Sequence, residues 1–245
     1  MPEQPVTEQH VDDENRSVED VADPTLLDTR HGPARLFHSP AQAPWATLVL
    51  GHGAGGGAQA RDLVWLAREL PPAEVSVVRV EQPYRVAGGK VAPRASVLDQ
   101  GWLDVLLQLH TACPLVVGGR SSGARVACRT ATSTDALACL ALAFPLHPPW
   151  RPEVSRIAEL RGSGVPTLVI QGDRDTFGSA TDFPELPHSI RIAPLAGADH
   201  EFSAARRSSR TGAHLRTDLV GCVLAWLRET LPRPTGPSQS HSWPS

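Results

Sequence analysis

From residue 45 to residue 230 the chain alternates short, continuous apolar runs with longer stretches in which apolar residues return every three or four positions. The runs Ala46–Leu50, Val75–Val80, Pro114–Gly118, Ala138–Phe144, Val165–Ile170 and Ile190–Ala193 predict strands. They are mostly continuous apolar stretches, as in strands covered on both faces, so the sheet they build is expected to be parallel. Helical spacing appears in Leu63, Leu66, Ala67 and Leu70, in Leu98, Trp102, Val105, Leu106 and Leu109, and in Leu215, Leu219, Val223 and Leu227. Strand and helix succeed each other through the whole region. That order predicts a doubly wound α/β fold with a mostly parallel sheet and right-handed crossovers.

The two ends of the chain break this pattern. Residues 1–30 hold nine acids against Arg16 and Arg30, with little that is aromatic or β-branched. Such a segment cannot bury enough surface to offset its ordering entropy, so it is expected to be a solvated acidic tail. Residues 231–245 are rich in Pro and Ser and read as a second tail. The folded domain is therefore placed at 31–230, where 20 basic residues face 17 acidic ones. No extended basic face is evident, which argues against a nucleic-acid partner. No apolar run reaches the ~20 residues of a membrane span and the first residues lack the features of a signal peptide, so a cytoplasmic location is expected. Cys113, Cys128, Cys139 and Cys222 lie apart among apolar neighbours and read as buried free thiols.

In parallel sheets chemistry collects in the loops that follow the strands. After Pro114–Gly118 comes Gly119-Arg120-Ser121-Ser122-Gly123 and then a helical stretch, which is G-x-S-x-G between a strand and a helix. A serine on so tight a turn needs small residues two positions before and after it, and Gly119 and Gly123 supply them. Ser122 is flanked at those distances by Arg120 and Ala124, so Ser121 is the candidate nucleophile. A serine needs a base, and the base an orienting acid. The loop after Val165–Ile170, Gln171-Gly-Asp-Arg-Asp-Thr-Phe-Gly178, offers Asp173 and Asp175, and the loop after Ile190–Ala193 offers His200. The glycine-rich Gly51-His-Gly-Ala-Gly-Gly-Gly57 after the first apolar run lets backbone amides approach a developing oxyanion. The donors are assigned to the amides of Ala54 and Ser122, with Gly53 as a structural glycine of the loop and His52 as a packing residue beneath it. This loop lacks the lysine of a phosphate-binding loop. No metal cage and no cofactor is expected.

These four motifs, in this order, resemble the α/β-hydrolase superfamily. They are most similar to its small dienelactone-hydrolase-like branch, in particular to bacterial predicted hydrolases related to the hydrolase-like domain of the eukaryotic non-specific-lethal complex. The resemblance spans roughly residues 35–230. It implies Ser121 as nucleophile, His200 as base and Asp175 as acid, because relatives place the acid before an x-Phe-Gly ending such as Thr176-Phe177-Gly178. Dienelactone hydrolases proper use a cysteine where this chain has Ser121.

Only about twenty residues, Pro145 to Gly164, separate two of the strands, which leaves no room for a large lid domain. An open site is expected, bounded by Tyr84 and Trp150 as pocket walls. The expected substrate is a small or medium uncharged ester or thioester, cleaved through an acyl-enzyme. Two other readings stand beside it: a catalytically silent fold serving as an interaction module, and acyl transfer or amide cleavage by the same residues. Arg120, beside the candidate nucleophile, is expected to make a surface ion pair, with steering of a substrate carboxylate as the alternative role.

Overall fold

The computed structural model describes residues 23–232; the expectations for residues 1–22 and 233–245 lie outside the described residues. Eight strands form one sheet: β1 (Thr25–Thr29), β2 (Gly32–Ser39), β3 (Ala46–Gly51), β4 (Val75–Glu81), β5 (Leu115–Arg120), β6 (Ala138–Leu142), β7 (Thr167–Gly172) and β8 (Ile190–Leu195). Their order is β1-β2-β4-β3-β5-β6-β7-β8. From β4 to β8 every neighbouring pair is parallel, while β1 pairs antiparallel with β2 and β2 antiparallel with β4.

The central strands are mostly apolar because the two faces of the sheet are covered by different helices. Leu48 and Leu50 of β3 join a cluster with Leu63 and Leu66 of α1 (Arg61–Glu69) and with Leu215, Leu219 and Trp226 of α6 (Gly212–Thr230). Val49, between them, turns to the opposite cluster. There it meets Leu98, Trp102 and Val105 of α3 (Ala95–Gln108), which follows the short α2 (Pro83–Val86), and Val126 and Ala127 of α4 (Ser122–Thr130). Each large side chain buried in this way contributes about 1.5–3 kcal/mol relative to an exposed one. The period of two along β3 thus meets a helix on each side, which removes the polar positions that an exposed face would require.

The first two strands correct the sequence reading. Thr25–Thr29 forms β1 inside the segment expected to be acidic tail, and no residue of β1 is buried. On β2 only Ala34 and Leu36 are buried. Leu231, expected in the C-terminal tail, is also buried. Of the four cysteines, all free, Cys128 and Cys139 are buried, whereas Cys113 and Cys222 are partly exposed. Between β6 and β7 the chain carries only the short helix α5 (Ile157–Arg161), so no lid domain is inserted. Among the described residues, no helix is long and apolar enough to cross a membrane.

Candidate active site

Ser121 sits between the end of β5 and the start of α4, with φ 51° and ψ −113°. A non-glycine residue in this region stores about 1–3 kcal/mol of backbone strain, which the surroundings must hold in place. Two features hold it. The Ser121 amide donates to the Leu142 carbonyl of β6 at 2.9 Å. The flanking glycines let the turn close against β3: a Cβ on Gly119 would lie 2.5 Å from the Gly51 carbonyl oxygen, and one on Gly123 still closer to that oxygen. The turn lifts the Ser121 hydroxyl above the sheet, and Ser122 opens α4 with an amide that the helix itself leaves unpaired.

His200 and Asp175 reach the same place from the loops after β8 and β7. His200 Nε2 is 3.0 Å from Ser121 Oγ, and His200 Nδ1 is 2.8 Å from Asp175 Oδ2. This network assigns the ring proton to Nδ1, facing the carboxylate, and leaves the Nε2 lone pair toward the serine hydroxyl. Asp175 is held by two further donors, the Phe177 amide to Oδ1 at 2.8 Å and Gln171 Nε2 to Oδ2 at 2.9 Å. The Phe177 ring stacks on His200 with centroids 4.2 Å apart, which fixes the imidazole from its face. The Asp175 side chain is 0% exposed and that of His200 13%, so solvent reaches the imidazole but not the carboxylate. Asp173 faces away and accepts from the Gly197 amide at 2.8 Å, which ties the two loops together. Gln171 was not singled out in the sequence; a polar residue ending an otherwise apolar strand is the signal that marks it.

The glycine-rich loop after β3 is pinned from below. His52 is buried, accepts from the Gln82 amide at Nε2 (3.0 Å) and donates from Nδ1 to the Gly53 carbonyl (2.7 Å). Burial keeps the His52 pKa below its ordinary value, in keeping with a neutral ring whose Nε2 accepts. The Gly53 carbonyl also accepts from the Gly56 amide at 3.2 Å. A trans peptide sets N–H opposite C=O, so the Ala54 amide is turned away from the His52 ring. Tyr84 Oη donates to the Ala54 carbonyl at 2.9 Å and fixes the next peptide. Gly53 lies against Ser121: a Cβ there would stand 3.1 Å from Arg120 Nη1 and 3.5 Å from Ser121 Cβ.

Arg120 is not on the surface, contrary to the sequence expectation. Its side chain is 6% exposed and pairs with the Asp62 carboxylate of α1 at 3.2 Å, itself 2% exposed. Nη2 donates to the His200 carbonyl at 2.6 Å and lies 3.3 Å from Glu201. Burial lowers the affinity of Arg120 for its proton, but the charges of Asp62 and Glu201 more than restore it, and the net shift is upward. Arg120 therefore joins α1, β5 and the backbone of the histidine loop.

Ser121, Ser122, Ala54 and His200 open onto one cavity of about 860 Å³. The two residues expected to wall it do not line it. Tyr84 is engaged behind the Ala54 loop, and Trp150 is 76% exposed on the β6–β7 connection. The walls come instead from the glycine loop, from Ala92, Pro93 and Leu98, and from a group of arginines. Among the described residues, no group of three or more His, Cys, Asp or Glu side chains is disposed to hold a metal.

A family model described as an alpha/beta hydrolase domain matches residues 44–228. No curated protein matches the chain. Among solved structures, the chain is similar to XC6422 from Xanthomonas campestris, described as a serine hydrolase without lid (19% identity, 88% of this chain and 98% of that one, TM-score 0.66). It is similar as well to a dienelactone hydrolase from Anabaena variabilis (15% identity, 86% and 100%, TM-score 0.64). Est1E from Butyrivibrio proteoclasticus shares the fold at 13% identity (84% and 100%, TM-score 0.60). With the match over residues 44–228, the chain belongs to the α/β-hydrolase domain family.

Proposed function

We propose that the protein is a serine hydrolase that cleaves small or medium carboxylic esters or thioesters through an acyl-enzyme. The observation that carries this reading is the unbroken chain Ser121 Oγ, His200, Asp175, with 3.0 Å and 2.8 Å links. His200 Nε2 takes the Ser121 proton as Oγ attacks the acyl carbon, and Asp175 stabilises the imidazolium that forms. The tetrahedral oxyanion is received by the amides of Ala54 and Ser122, two neutral donors held in place before reaction. His200 then protonates the leaving alcohol or thiol. In the second half it activates water, which attacks the acyl-enzyme, releases the acid and returns the proton to Ser121. The openness of the site, with only α5 between β6 and β7, suits substrates of modest size that need no lid to enclose them.

The test is turnover of 4-nitrophenyl butanoate and a butanoyl thioester by wild type and by Ser121→Ala. Loss of at least a thousandfold in kcat with an unchanged circular-dichroism spectrum is expected. A Ser121→Ala protein that retains the wild-type rate removes Ser121 from the reaction and the proposal with it.

A further inference from the structure

The cavity has an unusual wall for an enzyme of neutral esters. Four arginines line it: Arg120, Arg125, Arg129 and Arg156. Arg120 is spent on Asp62, Glu201 and the His200 carbonyl. The other three form a separate group. Along α4, Arg125 and Arg129 follow Ser121 by four and eight residues, so they lie on the serine's own face of the helix, about 6 and about 12 Å further along its axis. Arg156 comes from the β6–β7 connection and donates from Nη1 to the Pro145 carbonyl at 3.2 Å.

Charge in this group does not balance. Glu159 accepts two bonds from Arg125, at 2.8 and 2.6 Å, and one from Arg129 at 2.7 Å. Asp99 accepts two from Arg129, at 2.9 and 2.6 Å. Two carboxylates thus face three guanidinium groups, and among the described residues Arg156 has no carboxylate within ion-pair distance. Burial lowers the Arg156 pKa from its ordinary value, and the neighbouring Arg125 charge lowers it further, more than Glu159 compensates. Among the described residues, Arg125 Nη1 and Arg156 Nε and Nη2 make no hydrogen bond. Both arginines are part of the cavity wall, where a ligand can meet them.

We infer that the substrate carries a carboxylate several bonds from its scissile carbonyl, and that Arg156 with Arg125 receives that carboxylate while Ser121 attacks. The inference rests on the hydrolase reading above and narrows it, replacing the uncharged ester expected from the sequence with an anionic one. A guanidinium meets a carboxylate through two parallel N–H donors, so the subsite orients the substrate as well as holding it. The Arg125–Glu159–Arg129–Asp99 lattice keeps the wall rigid, and Arg156 supplies the charge that the lattice leaves uncompensated.

The experiment compares matched esters with the charge on either side of the scissile bond. On the acyl side these are the 4-nitrophenyl monoester of adipate and 4-nitrophenyl hexanoate; on the leaving side, 4-(butanoyloxy)benzoate and its methyl ester. The wild type is expected to favour the anionic member of at least one pair by about tenfold or more in kcat/KM. Arg156→Ala should lower that preference at least about tenfold, Arg156→Lys should restore part of it, and added salt should weaken it. In parallel, calorimetry on Ser121→Ala reads binding of monomethyl adipate without turnover, with and without Arg156→Ala. No preference in either pair, or a preference that survives Arg156→Ala, overturns the subsite while ester turnover leaves the hydrolase reading intact. Binding that depends on Arg156 without turnover of any ester upholds the subsite and overturns the hydrolase reading. Absence of both overturns both.

Discussion

Replacing Arg120 by methionine keeps most of the side-chain volume and removes the charge. Asp62 would then be a carboxylate with 2% of its side chain exposed and no cation beside it. Breaking a buried pair from one side costs about 3–5 kcal/mol, because the remaining charge is left uncompensated. For a domain of this size that corresponds to a fall in Tm of roughly 6–20 °C, a large part of the 5–15 kcal/mol typical of a whole domain. The same substitution frees the His200 carbonyl from its 2.6 Å bond, so the base loses an anchor and kcat should fall about tenfold or more. Asp62→Leu combined with Arg120→Met removes both charges, and most of the lost stability should return, whereas kcat should not, because the His200 carbonyl stays unanchored. The assay is a denaturant-unfolding cycle over the four proteins with kcat measured alongside. If Arg120→Met costs less than about 1 kcal/mol, the pair behaves as an exposed one and the reasoning fails. If the double variant loses the sum of the two single losses, the charges do not interact as described.

Asp175→Asn should leave the fold intact and reduce kcat by roughly a thousandfold or more, since the amide no longer holds His200 in the tautomer that faces Ser121; a fall below tenfold in steady-state kinetics would take Asp175 out of the chain. His52→Ala should lower kcat by about 10- to 100-fold with a smaller change in KM, because the Gly53 carbonyl loses one of its two anchors and the Ala54 amide its fixed direction. His52 also sets a pH dependence. Burial lowers its pKa in the folded protein below the ordinary 6.5, so the unfolded chain binds the proton first as pH falls. Its contribution is complete above about pH 6.5 and shrinks from there toward the folded value, so the Tm difference between wild type and His52→Gln should narrow from about pH 8 to about pH 5. A difference that stays constant across that range contradicts a neutral buried ring.

The parts of this molecule that were legible in the sequence are those fixed by local pattern. Mostly apolar runs marked six strands because the inner strands face a helix layer on both sides, as Leu48, Val49 and Leu50 illustrate. Gly119, Gly123 and the chain order of Ser121, Asp175 and His200 marked the candidate site because tight turns at strand ends admit few residue types. The hairpin β1–β2 escaped because an exposed antiparallel edge needs little apolar material: β2 buries only Ala34 and Leu36. Arg120 escaped for a different reason. Its partner Asp62 lies 58 residues away, and no local spacing distinguishes a buried arginine from an exposed one. The same holds for the cavity wall. Trp150 was chosen for its chemistry, but the β6–β7 connection turns it to solvent and turns Arg156 inward.

The central claim is that Ser121 is an activated nucleophile, and labelling with a fluorophosphonate probe followed by mass mapping of the adduct tests it most directly. Wild type should carry one adduct, at Ser121. Ser121→Ala should carry none, and His200→Ala should label at least about a hundredfold more slowly because the hydroxyl keeps its proton. A folded wild type that does not label, or that labels at any residue other than Ser121, would contradict the account.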